Sequence, residues 1–159
     1  MKITILAVGK IKEKYFAEAI KEYAKRLSRY ATLNIIEVAD EQTPDSASPA
    51  LEAQIKQREG ERLIKALKGD TYTIALALDG QAMDSPALAH KIEELGVRGH
   101  AHLAFLIGGS LGLSDQVLQR ADLKLSFSQL TFPHQLMRVI LLEQIYRSFR
   151  IIKHEPYHK

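Results

Sequence analysis

The sequence predicts a three-layer α/β domain built on a mostly parallel sheet. Three observations carry this expectation. Short apolar runs alternate along the chain with segments of helical period. Helix-opening pairs stand between them: Ser48-Pro49, Ser85-Pro86 and Ser114-Asp115. The resulting order, β-α-β-α-β-α-β-α-β-α, sends each strand into a helix, which favours parallel strands covered by helices.

Lys2–Val8 reads as the first strand. Lys12–Tyr30 follows as an amphipathic helix, with Phe16, Ala19, Ile20, Tyr23 and Leu27 at helical spacing. Leu33–Val38 is a second strand, and the polar, proline-containing stretch Asp40–Ser48 a loop. Ser48 caps a helix reaching about Leu67, on which Lys56, Arg58, Glu59, Glu61 and Arg62 suggest a solvated face. Thr71–Leu78 is a third, buried strand, and Ser85-Pro86 opens a helix to about Leu95. Leu103–Ile107 is a fourth strand, a short helix starts at Ser114-Asp115, and Lys124–Phe127 is a fifth strand. Pro133 breaks the chain before a long helix, His134–Ile152, and a tail, Lys153–Lys159.

A chain of 159 residues, 46% hydrophobic and 26% charged, suits one domain spanning residues 1–159. It contains no cysteine, which removes disulfides, thiolate zinc sites and a thiol nucleophile. No apolar run approaches the roughly 20 residues that cross a bilayer, and Ile3–Val8 is too short for a signal peptide. A cytoplasmic protein without membrane contact is expected. Net charge is only +3, but residues 1–30 carry eight Lys/Arg against three Glu, and the C-terminal stretch is basic too. If these ends meet in space they offer a polyanion a surface; otherwise they are two solvated helix faces.

In parallel α/β sheets ligands sit beyond the carboxyl ends of the strands, which selects the loops after Leu78, Ile107 and Phe127. Gly108-Gly109-Ser110-Leu111-Gly112-Leu113 is either a tight strand-to-helix turn or a place where backbone approaches a ligand. Its spacing is neither that of a dinucleotide fingerprint nor that of a P-loop. Phe127–Phe132 flanks small hydroxyl residues with aromatics, so it is either an ordinary loop or a cradle for a flat heterocycle. The last helix is apolar on nearly every side, which demands burial on several sides and suggests a second subunit. Arg138 lies among its apolar residues and needs an acceptor, either a carboxylate across a dimer interface or a substrate phosphate or base oxygen. The tail is either a mobile polar end or a functional element. Pro156 stiffens it, and Tyr157-His158 pairs a stacking ring with a group that titrates near neutrality. The histidines lack the paired spacing of metal ligands, so no metal is expected.

Taken together, Ile107-Gly108-Gly109…Gly112-Leu113, Ser126…Ser128…Leu130-Thr131…Pro133-His134…Arg138…Glu143-Gln144-Ile145-Tyr146-Arg147 and Pro156-Tyr157-His158 resemble the ribosomal large-subunit methyltransferase H family of the SPOUT class. The opening Met1-Lys2-Ile3 to Val8-Gly9-Lys10 and the helix from Lys14-Tyr15 to Tyr30 fit as well, so the resemblance spans the chain. It implies a SPOUT domain whose C-terminal part, about 71–159, is a deep trefoil knot binding the cofactor. It also implies a homodimer that uses S-adenosyl-L-methionine to methylate N3 of a pseudouridine in 23S rRNA, on the assembled ribosome. The implied cofactor residues are Leu76, Gly108, Phe127, Ser128, Gln129, Leu130, Thr131 and Phe132. For the chemistry, His158 is expected as proton acceptor or relay, Tyr157 as the base-positioning ring and Arg138 as an oxygen or phosphate contact. His134, Arg147, Lys10 and Lys12 are expected to touch RNA. Competing expectations are a tRNA methyltransferase of the same class, a non-catalytic ribosome-binding factor, and, less compatible with the missing fingerprint, a nucleotide-dependent oxidoreductase.

Overall fold

A computed structural model describes all residues, 1–159. Five strands alternate with five helices: β1 (Lys2–Val8), α1 (Lys14–Leu27), β2 (Thr32–Val38), α2 (Pro49–Ala66), β3 (Tyr72–Ala82), α3 (Ser85–Val97), β4 (His102–Ile107), α4 (Asp115–Arg120), β5 (Leu123–Ser126) and α5 (His134–Ile152). All five strands run parallel, in the order β2-β1-β4-β3-β5. The expected mostly parallel sheet is thus wholly parallel. Every strand therefore ends on the same edge, and the loops after β1, β3, β4 and β5 gather there. No helix is long and apolar enough to cross a membrane.

The caps are visible in the side chains. Ser48 Oγ accepts from the Leu51 amide at 3.2 Å, and Ser114 Oγ from Val117 at 3.3 Å. At the third site the cap is Asp84, whose Oδ1 accepts from Ala87 at 2.8 Å, so α3 begins one residue earlier than a Ser85 cap implied. Asp wins because its carboxylate accepts without losing a donor and complements the positive end of the helix.

Two apolar layers sandwich the sheet. On one face α1, α3 and α5 cover Ile3, Ile5, Ile74, Leu103 and Phe105. On the other, α2 and α4 cover Leu6, Val8, Ala75 and Leu106. The last helix lies between α1 and α3, with Leu141, Leu142 and Ile145 fully excluded from water. Much of its all-round apolar character is thus spent inside its own chain. Leu136, Val139 and Ile140 remain half-buried on its outer flank. Because α1 packs on α5, the two basic ends do meet: Arg26 lies over the rings of Tyr23 and Tyr146, at 5.3 and 5.7 Å.

One departure from the expected strand matters for the site. The third strand runs on to Ala82, and its pairing with β5 jumps: Leu125 faces both Leu76 and Gln81. The residues between them leave the ladder as a bulge. The excursion closes at Gly80, where a Cβ would stand 2.8 Å from backbone atoms of Lys124 and Leu125, so only glycine fits.

Candidate active site

A cavity of about 810 Å³ opens at the carboxyl edge of the sheet, within the size range of small-molecule sites. Three backbone features build it. The bulge of β3 contributes Leu76, Ala77, Leu78 and Asp79. The turn after β4 contributes Gly108 to Leu113, and the segment after β5 contributes Phe127, Ser128 and Leu130 to Pro133. The first turn of α5 closes it with His134 and Met137. Of the eight residues assigned to a cofactor by resemblance, seven line this cavity. Gln129 does not; it is exposed. Spacing alone did not reveal Asp79, the charged residue at the bulge, because the bulge is a register shift that depends on β5.

The glycines are required by close approach. A Cβ on Gly108 would stand 2.5 Å from the carbonyl carbon of Gly112. Gly112 has φ +85° and donates its amide to the Gly109 carbonyl at 3.1 Å, which folds the turn back on itself. The opposite wall is pinned by hydroxyls. Ser126 Oγ donates to the Ser128 carbonyl at 3.2 Å, and Ser128 Oγ accepts from the Leu130 amide at 3.0 Å. Leu130 is left 70% exposed, an apolar side chain at the rim with nothing of its own chain to cover it.

Behind the glycine turn stands a residue expected to be solvated. Glu59 is only 4% exposed, and both carboxyl oxygens lie 3.2 Å from where a Gly109 Cβ would be. Oε2 accepts from the Glu41 amide at 3.0 Å, while Oε1 has no partner. Loss of hydration pushes this carboxyl above the usual carboxylate range, the Glu41 amide opposes that shift, and Asp40 adds to it. The polar run on α2 hid Glu59 because its neighbours Arg58 and Glu61 do face water.

The other expected residues fall into two groups. His134 sits on the cavity wall with Nδ1 buried and unpartnered, and burial followed by the Arg138 charge holds it below the usual histidine range. Arg138 is 1% exposed; its Nη1 donates to Glu37 Oε2 at 2.6 Å and its Nη2 to the Gly9 carbonyl at 3.1 Å. Its guanidinium is thus paired with a carboxylate and a carbonyl of the same chain, while its Nε is buried without a partner. Lys10 and Lys12 are exposed on the loop after β1.

Tyr157, His158 and Arg147 form the second group, beside the middle of α5. His154 ends the helix with φ 55°, while the His154 and Glu155 amides return to Ile151 and Arg150 at 3.0 and 2.9 Å. Arg150 then ties the turn down, pairing with Glu155 and donating to the Pro156 carbonyl at 2.7 Å, and Tyr30 donates to Glu155 at 2.6 Å. The tail is thus an ordered element. Tyr157 donates to Glu143 Oε1 at 3.0 Å, and the same oxygen takes Arg147 Nη2 at 2.6 Å. Burial, then that hydrogen bond, raises the Tyr157 phenol, which keeps it a donor. Arg147 lies 4.7 Å over the Tyr157 ring and 3.3 Å from His158 Nδ1. At ~1.5 Å per residue, Arg147 lies about 20 Å along α5 from His134. Neither Tyr157 nor His158 lines the cavity of its own chain.

A parallel α/β fold with a glycine-turn pocket at its carboxyl edge also defines a known class. The family described as "Predicted SPOUT methyltransferase" matches residues 1–158. The chain is 59% identical, over all of both sequences, to "Ribosomal RNA large subunit methyltransferase H" of Bifidobacterium adolescentis, and equally so to the protein of that name from Alkaliphilus oremlandii. It therefore belongs to the ribosomal RNA large subunit methyltransferase H family of SPOUT methyltransferases. Among solved structures, a methylase-family protein from Haemophilus influenzae Rd KW20 superposes with a TM-score of 0.51 at 15% identity, over 99% of this chain and 70% of that one, a likeness of fold alone.

Two outcomes are expected. Gly108→Ala forces the turn apart and weakens S-adenosylmethionine binding by at least about tenfold in calorimetry, at nearly unchanged helical circular dichroism. The Glu59 carboxyl binds its proton more tightly folded than unfolded, so its stability contribution is full below the ordinary carboxylate pKa. That contribution is lost as pH rises through the raised value. Glu59→Gln, which cannot ionise, should raise the melting temperature over wild type at about pH 8 and give no gain near about pH 4.

Proposed function

We propose that this protein transfers a methyl group from S-adenosyl-L-methionine to N3 of a pseudouridine in 23S rRNA, acting as a homodimer on the assembled ribosome. The observation that carries this reading is full-length identity of 59% to a protein named ribosomal RNA large subunit methyltransferase H, joined to a cavity lined by seven of the eight expected cofactor residues. The residues present suit that cofactor. Apolar walls from Leu76, Leu125 and Phe127 match the faces of an adenine, and the Gly108–Gly112 backbone allows close approach. Asp79, exposed at the rim, carries a carboxylate that faces the Lys124 ammonium at 3.9 Å. The knotted SPOUT threading of residues about 71–159 belongs to the same proposal. Its support is the strand order, in which β5 returns to the outer edge of β3 while β4 lies inside.

When bound, the cofactor supplies a methyl group on a positively charged sulfur that leaves as a neutral thioether. The chain supplies alignment and proton transfer. N3 of pseudouridine is a weakly acidic imide nitrogen and must lose its proton as the methyl arrives. His158 is the proposed acceptor or relay of that proton: Arg147 donates to its Nδ1, so the ring takes the proton at Nδ1 only as that contact is released, with Nε2–H free to pass one on. Tyr157, a fixed phenol donor, is the proposed base-positioning ring. Because the tail stands far from its own cavity along α5, it serves the partner's cavity in this reading. The half-buried flank of Leu136, Val139 and Ile140 supports a second subunit there.

Mass spectrometry of 23S rRNA from cells lacking the gene should show one pseudouridine missing a methyl group, restored by complementation. An unchanged rRNA would sink the proposal and favour tRNA or a non-catalytic binding role. The shared site has its own test. A mixed dimer of one Gly108→Ala chain and one His158→Ala chain retains one intact cavity facing one intact tail if the tail acts across the interface. It should keep about half of wild-type single-turnover methylation, whereas a tail acting within its own chain leaves it inactive.

A further inference from the structure

Arg138 is the largest side chain fully withdrawn from water, yet it carries a permanent charge. Removing such a charge from water costs several kcal/mol unless geometry and hydrogen bonds compensate. Its partners explain what that placement achieves. Arg138 reaches from the second turn of α5 to the Gly9 carbonyl at 3.1 Å and to Glu37 Oε2 at 2.6 Å. The same Glu37 oxygen accepts from the Ile11 amide at 3.0 Å. One residue further, the Lys12 amide donates to Gln135 Oε1 at 3.1 Å. Gly9 itself has φ +88°, a backbone conformation that favours glycine, and it lies in ordinary van der Waals reach of His134.

Three successive points of one loop, at Gly9, Ile11 and Lys12, are thus fastened to the start of α5 and the end of β2. The loop has no regular structure, and the side chains of Lys10 and Lys12 are free in solvent. It adjoins the first turn of α5, whose His134 and Met137 line the cavity. Backbone tied down at three of four residues from Gly9 to Lys12, with ammonium groups left free, is the arrangement that binds phosphate at low entropic cost.

We propose that Glu37, Gln135 and Arg138 are positioning residues that hold the Gly9–Glu13 loop as a preformed contact for RNA phosphates beside the methyl-transfer cavity. Arg138 does not touch substrate; it acts through the loop. This rests on the RNA-methylating reading above, so two measurements are needed, one of which is independent of that reading.

The first is amide hydrogen exchange on the intact protein without RNA. Ile11 and Lys12 should be protected in wild type. Gln135→Ala should speed exchange at Lys12, and Arg138→Met should speed it at Ile11, each by at least about tenfold. Glu37→Gln keeps an acceptor for Ile11 but strips Arg138 of its charge partner; Gln135→Ala, which disturbs no buried charge, serves where either of the other two fails to fold. Exchange unchanged in all three variants overturns the clamp whatever the substrate. The second is methylation kinetics on ribosomes from cells lacking the gene. The Lys10→Ala/Lys12→Ala double variant should raise KM and lower the slope of log KM against log salt by about 2. Arg138→Met should raise KM toward the level of that double variant, with kcat and cofactor affinity within about twofold of wild type. A fall in kcat at unchanged KM would show that Arg138 meets the reacting groups and would overturn the proposal, as would an unaltered KM. Wild-type inactivity on these ribosomes would sink the RNA reading and the phosphate role with it, leaving the exchange data to decide the clamp.

Discussion

The structure depends on the burial of α5 between α1 and α3 across the strands β1, β4 and β3. A helix apolar on most of its circumference has few stable places in a small domain. Leu141, Leu142 and Ile145 lose all contact with water there, alongside Ile3, Ile74 and Phe105 of the sheet. At roughly 25 cal/mol per Å² of apolar area, each such side chain contributes about 1.5–3 kcal/mol. That docking fixes both ends of the helix at once. Its first turn meets the carboxyl edge of the sheet, so His134 and Met137 close the cavity. Its last turn meets Tyr30 of the first helix region, where Phe149 stacks on the Tyr30 ring at 5.8 Å and the tail is tied down.

A rigid rod with a pocket at one end and a tail folded over its middle cannot bring the two together by bending. The tail turn is held by Arg150, Glu155 and Tyr30, and its tip by Glu143 and Arg147, so release would break several charge-assisted bonds. In the proposed homodimer, a second copy docked on the outer flank of the same helix would solve the geometry without unfolding anything. The apolar residues left half-covered on that flank then have a reason to be apolar. Under that proposal the single chain would be a stable half of a site, with the methyl donor at one end and a phenol donor and an imidazole at the other.

Much of this was legible in the sequence, and the limits have physical causes. Element order, the Ser48 and Ser114 caps and the span of α5 follow from local rules, because period, caps and breakers act within a few residues. The glycine turn was visible as glycine, but whether it cradled a ligand or merely turned the chain depended on Gly112 closing onto Gly109. Glu59 was misread because helical polarity does not say which polar residue faces a neighbour; Glu59 is the one under Gly109. Ser85 was taken for a cap where Asp84, one residue earlier, accepts the bond. Arg138 was known to need an acceptor, but Glu37 stands about a hundred residues earlier and meets it only because β2 lies beside β1. Gln129 sits between cavity-lining neighbours yet is exposed and outside the lining, which no linear pattern encodes.

Two buried ionisable groups flank the carboxyl edge, and they solve the burial problem in opposite ways. Arg138 cannot lose its proton, so it recruits a carboxylate and a carbonyl, although its Nε stays unpartnered. Glu59 can take up a proton, so burial beside Asp40 shifts its titration. Its place against Gly109 explains why the carboxyl is there at all. An alanine would leave a void behind the turn. A carboxyl fills the space and still receives the Glu41 amide, which would otherwise be buried without an acceptor. The back of the turn and the base of the lysine loop are therefore held by different chemistry for the same reason. Both are irregular backbone at the edge of a rigid sheet, and neither has a strand partner to hold it.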